Sequence, residues 1–84
     1  MKAWVYMLRC ADGTLYTGWT NDTEKRLAAH NRGTASKYTR GRRPVEMIFI
    51  EGFETRAEAM SREREIKALD RARKLLLAGR ACGT

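Results

Sequence analysis

Cysteine and histidine are scarce in this chain: Cys10, Cys82 and a single His30 are all there is in 84 residues. Two distant cysteines make no disulfide framework, and a reducing compartment is the plain expectation. The same scarcity excludes zinc sites of the finger, ribbon or knuckle type, which need four Cys or His ligands. Proline occurs once, at Pro44. No apolar run approaches the ~20 residues of a bilayer-spanning helix. The apolar start from Met1 to Leu8 is too short for a signal peptide and has no cleavage-like end. A soluble, cytoplasmic protein with no membrane partner is expected. The length suits one domain over residues 1–84, with its core at about 4–78, and a monomer. Acidic side chains are also few: 10 Asp and Glu face 17 Lys and Arg, a formal charge of +7. A positive surface attracts polyanions and speeds their encounter, so nucleic acid is the expected partner.

What is present organises itself around strand and helix signals. Residues 4–9 (Trp-Val-Tyr-Met-Leu-Arg) are rich in aromatic and β-favouring types and predict a strand. Ala11-Asp12-Gly13 is a turn signal, and Leu15 to Trp19 predicts the returning strand of a hairpin. The loop length decides which side chains meet, because strand side chains alternate faces. A two-residue Asp12-Gly13 loop puts Tyr6 and Tyr16 on opposite faces. A three-residue loop with Gly13 left-handed pairs Cys10 with Thr14, Leu8 with Tyr16 and Tyr6 with Gly18, which puts Tyr6 and Tyr16 on one face. Both loops remain open to this sequence, and the three-residue form is the expectation. In that form Gly18, lacking a side chain, leaves room for the Tyr6 ring.

Asn21-Asp22-Thr23 offers helix N-caps, and Glu24 in the first turn suits the helix dipole. A helix to about Asn31 follows, ended by Gly33. Arg26 and His30 stand four apart and share one helical face. Residues 33–44 contain Lys37, Tyr38, Arg40, Arg42 and Arg43, and predict a basic surface loop. Val45 to Ile50 predicts a third strand. Thr55-Arg56-Ala57-Glu58 matches a capping box and opens a second helix with apolar Ala59, Met60, Ile66 and Leu69. Glu63 falls on that apolar stripe, where a carboxylate costs free energy unless it is paired, protonated or metal-bound. Lys67, at i+4, and Arg26 are its candidate partners. Asp70 can cap a last helix containing Ala72, Leu75 and Leu76, closed by Gly79, and residues 80–84 should fray. The expected fold is α/β (α+β): a small three-stranded antiparallel sheet flanked by helices, in the order β-β-α-β-α-α, with one sheet face available to a ligand.

Hydrolysis of a phosphodiester needs an activated water, stabilised phosphate charge and a neutralised leaving oxygen. A carboxylate-held divalent ion, an Arg and a Tyr or His supply these. Trp4-Val5-Tyr6 with Tyr16-Thr17-Gly18 resembles the paired tripeptides of the GIY-YIG nucleases. Arg26-Leu27-Ala28-Ala29-His30-Asn31 resembles that family's Arg-x3-His helix, and Ala59-x3-Glu63-x2-Ile66-Lys67 its helix with the metal-binding Glu. Lys37-Tyr38-Thr39-Arg40-Gly41-Arg42-Arg43-Pro44 is similar to the stretch found in the stand-alone, YhbQ-like bacterial branch. The likeness runs in order from about Trp4 to Leu76. Trp4, Val5 and Thr17 depart from the family's Gly, Ile and Ile; the tyrosines and Gly18 do not.

The resemblance implies an endonuclease that leaves 5′-phosphate and 3′-hydroxyl ends with one divalent ion, Mg²⁺ or Mn²⁺. It implies Glu63 on the metal, Arg26 on the phosphate, Tyr6 taking the water's proton with His30 assisting, and Tyr16 orienting the site. Gly18 and Asn31 would support it. Lys37, Tyr38, Arg40, Arg42, Arg43 and Lys67 are the expected nucleic-acid contacts. Single-stranded or branched DNA is the expected substrate, with RNA also open. The rival expectation is a non-catalytic basic module that only binds nucleic acid.

Overall fold

The computed structural model describes the backbone of residues 2–83 and the side chains of residues 2–79. The elements run β1 (Ala3–Arg9), β2 (Leu15–Thr20), α1 (Thr23–Arg32), α2 (Lys37–Arg40), β3 (Glu46–Phe53), α3 (Arg56–Lys67) and α4 (Arg71–Gly83). The three strands form one antiparallel sheet in the order β2-β1-β3. Its central strand, β1, is buried on both faces, as its nearly continuous apolar run requires.

The hairpin takes the three-residue loop. Cys10 N–H donates to Thr14 at 2.9 Å, and Gly13 has φ +85°, the left-handed conformation that favours glycine. The register therefore sets Tyr6 opposite Gly18 and Leu8 opposite Tyr16. Val5 and Met7 face the other side, opposite Trp19 and Thr17.

Helices cover both faces, so the expectation of one open sheet face is corrected. Ala3, Val5, Met7 and Phe49 pack with Ala59 and Ile66 of α3 and Ala78 of α4. On the other side Tyr6, Leu8, Cys10 and Val45 pack with Tyr16, Met47 and Leu27 of α1. Each fully buried aliphatic side chain in these layers contributes roughly 1.5–3 kcal/mol. The outer part of β3 is bare on the α1 side, where Ile50 is 49% exposed.

The helix ends follow their sequence signals. The Asp22 carboxylate accepts the Lys25 N–H at 3.0 Å, and Gly33 closes α1 at φ +84°. Thr55 and Glu58 make both bonds of the capping box. The Asp70 carboxylate accepts the Arg73 N–H at 2.9 Å.

Four expectations need correction. The basic stretch is not all loop: Ser36 caps the short helix α2, accepting from the Tyr38 N–H. β3 extends past Ile50 to Phe53, because Glu51 and Gly52 keep their ladder with Val5 and Trp4 despite poor strand propensity. Met60 is 40% exposed, since Ala59 beside it takes the inward position. Helix α4 passes through Gly79 and turns Leu77 and Ala78 to the core, leaving Leu75 and Leu76 exposed. Thr84 and the side chains from residue 80 onward, including Cys82, lie outside the described residues, and with them the expected fraying of the end.

Candidate active site

The hairpin register brings the two strand tyrosines together. Their ring centroids are 6.4 Å apart. A Cβ added at Gly18 would stand 2.6 Å from Tyr6 Oη, so the phenol lies over the bare glycine backbone. Any side chain there would push the ring out of place.

Helix α1 closes over this pair and carries His30, which is completely buried. The Tyr6 hydroxyl and His30 Nε2 are hydrogen-bonded at 2.8 Å. The other ring nitrogen, Nδ1, is 2.8 Å from Thr39 Oγ1 of α2, also completely buried. Thr39 Oγ1 in turn donates to the Ser36 carbonyl. That direction assigns the tautomer: Nδ1–H donates to Thr39, and Nε2 accepts from the Tyr6 hydroxyl. Thr39 is a residue that sequence reasoning missed. The Ser36 cap was its one local signal, and a four-residue helix has no apolar periodicity to read.

Burial shifts both partners toward their neutral forms. It pushes the Tyr6 phenol well above its usual pKa; the neighbouring Tyr16 adds to this, Arg26 opposes it and Glu63 reinforces it. Burial first, and Arg26 second, hold the His30 imidazole below its usual value. The pair at neutral pH is thus a phenol donating to a neutral imidazole. Tyr16 is half-buried and stands edge-on to His30 at 5.2 Å.

Glu63 comes from α3, which packs on the opposite sheet face from α1. Its charge is nevertheless felt at the Tyr6 phenol, as is that of Arg26. The Glu63 side chain is 19% exposed and pairs with Lys67 Nζ at 2.9 Å. Lys67 is exposed, and such a pair is worth about 0–1 kcal/mol. Among the described residues no group of three or more His, Cys, Asp or Glu gathers as a ligand cage. Glu63 is a single carboxylate, a donor that suits a divalent ion keeping most of its own waters.

The basic stretch divides. Tyr38 stacks obliquely on Tyr16 at 5.7 Å, and the Arg42 guanidinium lies 4.1 Å over the Tyr38 ring. Arg42 is fixed there by Asp12 Oδ2 at 2.9 Å and the Tyr38 carbonyl at 2.7 Å. Arg40 donates to the Gly33 carbonyl, and Arg43 to the Arg40 and Asn31 carbonyls. These two are tied to backbone, away from the aromatic cluster. Lys37 is exposed. Asn31 clamps the start of β3, donating to the Val45 carbonyl and accepting the Val45 N–H at 2.9 Å.

Comparison with known proteins agrees with this layout. A UPF0213 protein of Clostridium perfringens is 57% identical over 74 residues, which are 88% of this chain and 80% of that one. A UPF0213 protein of Natronomonas pharaonis is 55% identical over 71 residues, 84% of each. The solution NMR structure of a UPF0213 protein from Bacillus halodurans superposes with a TM-score of 0.61 at 42% identity, covering 94% of this chain and 84% of that one. The sequence model of the GIY-YIG catalytic domain matches residues 2–75. With the paired strand tyrosines, the Arg-x3-His helix and the α3 glutamate in their expected order, the chain belongs to the GIY-YIG catalytic domain family.

Proposed function

We propose that the chain is a metal-dependent endonuclease that hydrolyses DNA phosphodiester bonds, with single-stranded or branched DNA favoured over plain duplex. The observation that carries this reading is the buried Tyr6–His30 hydrogen bond, acted on by the charges of Arg26 and Glu63 from helices on opposite sheet faces. The GIY-YIG family is a nuclease family that generally uses divalent metal ions.

Glu63 would hold one Mg²⁺ or Mn²⁺, which when bound neutralises charge on the phosphate and the leaving oxygen. Arg26 binds the scissile phosphate through its forked donors. We assign the water's proton to Tyr16 in preference to Tyr6. Tyr6 is 1% exposed and already donates to His30, whereas Tyr16 is half-buried. As general base, Tyr16 takes a proton from the attacking water, and the hydroxide oxygen bonds to phosphorus. The bond from phosphorus to the 3′ oxygen breaks, and that oxygen takes a proton from solvent, leaving 5′-phosphate and 3′-hydroxyl ends. Tyr6, His30 and Thr39 act behind Tyr16 as a fixed neutral wall that sets its ring.

Lys37 and the Arg42–Tyr38 pair would take the strand. Arg42 already lies over Tyr38, so the surface offered to a base is a guanidinium plane as well as a phenol. One observation favours a second reading, a binding module without chemistry: Glu63 is satisfied by Lys67. Incubating the protein with labelled single-stranded, flap, duplex and RNA substrates, with and without Mg²⁺ or Mn²⁺, tests the proposal. Cleavage of the single-stranded or flap DNA only when the ion is present supports it. Tight binding with every substrate left whole favours the module.

A further inference from the structure

The cations tied into the basic stretch are not the freest ones in the molecule. Arg40, Arg42 and Arg43 each donate to a carbonyl or carboxylate of the protein itself. Along α1 the situation is different. Lys25, Arg26 and Arg32 line one open groove of about 290 Å³. Among the described residues none of the three cationic side chains makes an ion pair or a hydrogen bond. Lys25, Ala29 and Arg32 follow the i, i+4, i+7 spacing of one helical face. Ala29 lies between the two long cations and keeps the floor of the groove open. The one carboxylate of the lining, Asp22, is occupied in capping α1 through the Lys25 N–H.

We propose that this groove holds a second backbone phosphate of the nucleic-acid strand whose scissile phosphate is bound by Arg26. The proposal rests on the nuclease reading for Arg26, and the groove is continuous with that residue. Three cations against one committed carboxylate give the groove a positive field. A concave wall strengthens that field relative to a flat solvated surface. A phosphodiester oxygen accepts from the Lys25 ammonium and the Arg32 guanidinium together, the bridging geometry that long cations one helical face apart allow. Arg26 lines the groove, and it shares its face of α1 with His30 at i+4, so a strand seated in the groove is led toward the aromatic site. Specificity for nucleic acid over a free anion then comes from spacing, since two phosphates must be met at once.

The test is binding of a fluorescent single-stranded oligonucleotide, by anisotropy, with no divalent ion and at several NaCl concentrations. The Lys25→Gln/Arg32→Gln pair should weaken binding about tenfold, the worth of one charge-assisted contact. It should also lower the salt slope by about 0.7, the share of one single-strand phosphate. Ala29→Glu, a good helix residue that fills the groove with negative charge, should do the same while circular dichroism stays unchanged. Arg56→Gln/Arg64→Gln removes equal charge from the exposed side of α3 and should cost less than about twofold. Equal losses from the two charge pairs, or an unchanged salt slope, overturn the groove. The readout needs no cleavage, so the two readings can fail separately. Groove variants that bind weakly in a protein that cuts nothing leave the groove standing and remove the nuclease. Groove variants that bind normally in a protein that cuts remove the groove alone.

Discussion

Tyr6 and His30, 24 positions apart in the chain, share a fully buried hydrogen bond of 2.8 Å between the phenol oxygen and Nε2. With Thr39 on Nδ1, both ring nitrogens of the imidazole are satisfied inside the protein. A buried acceptor that loses its donor bears the full desolvation cost, about 1–3 kcal/mol. Tyr6→Phe should therefore lower unfolding stability by about that amount, read from urea midpoints at unchanged slope. A Tyr6→Phe protein as stable as the parent would remove the structural role given to this bond.

Tyr16→Phe should behave in the opposite way. Its hydroxyl has no hydrogen-bond partner among the described residues, so the melting temperature should change little. Cleavage should fall by about 10²–10⁴-fold, the usual worth of a general base. Gel assays of Tyr16→Phe beside Tyr6→Phe, each normalised to its folded fraction, separate the two tyrosines. Full activity in Tyr16→Phe would return the proton transfer to Tyr6.

Gly18→Ala places a methyl group 2.6 Å from Tyr6 Oη and 2.8 Å from its Cζ. The far end of the ring has to move, and the bond to His30 goes with it. A loss of about 1–3 kcal/mol, the common cost of overpacking, should appear in thermal melts together with reduced cleavage. Gly13→Ala is the useful comparison. Nothing stands within 4 Å of its Cβ, and its cost comes only from a φ of +85°.

The single histidine makes the pH response readable. His30 is held below its ordinary value of 6.5, by burial first and by Arg26 second. Below about pH 6.5 the unfolded chain then binds more protons than the folded one. Stability should be fully present above that pH and lost as pH falls through the lowered folded value. Tyr6, raised by burial, adds the converse limit: its contribution is intact below pH 10.0 and declines above it. One imidazole resonance in an NMR titration suffices as the check, since no other His is present. A midpoint at or above 6.5 would contradict the burial account.

Much of this site was legible in the sequence because it depends on short-range rules. Ala11-Asp12-Gly13 marked the turn but left a two- and a three-residue loop open, and only the three-residue register, the one formed, puts Tyr6 and Tyr16 on one face. The i, i+4 spacing joined Arg26 to His30, and the stripe position singled out Glu63. Thr39 was not legible, because its partner His30 lies nine residues away across a change of direction, and four residues carry no period. The extension of β3 through Glu51 and Gly52 was hidden for a related reason, since pairing with β1 overrides their propensity. In α4 three consecutive leucines gave no single face, and packing against β3 chose Leu77 over Leu75 and Leu76.

Glu63 decides between chemistry and mere binding. The most direct measurement is the single-turnover cleavage rate of a labelled flap or single-stranded DNA across a Mg²⁺ and Mn²⁺ titration, for the parent and Glu63→Ala side by side. Oligonucleotide affinity is recorded in parallel. The parent should cut in an ion-dependent way that chelation stops. Glu63→Ala should retain its affinity and lose at least about 100-fold in rate, since the ion's charge stabilisation is worth several kcal/mol. Equal cleavage by both proteins, or intact DNA with the parent at every ion concentration, would contradict the assignment of Glu63 and the nuclease reading with it.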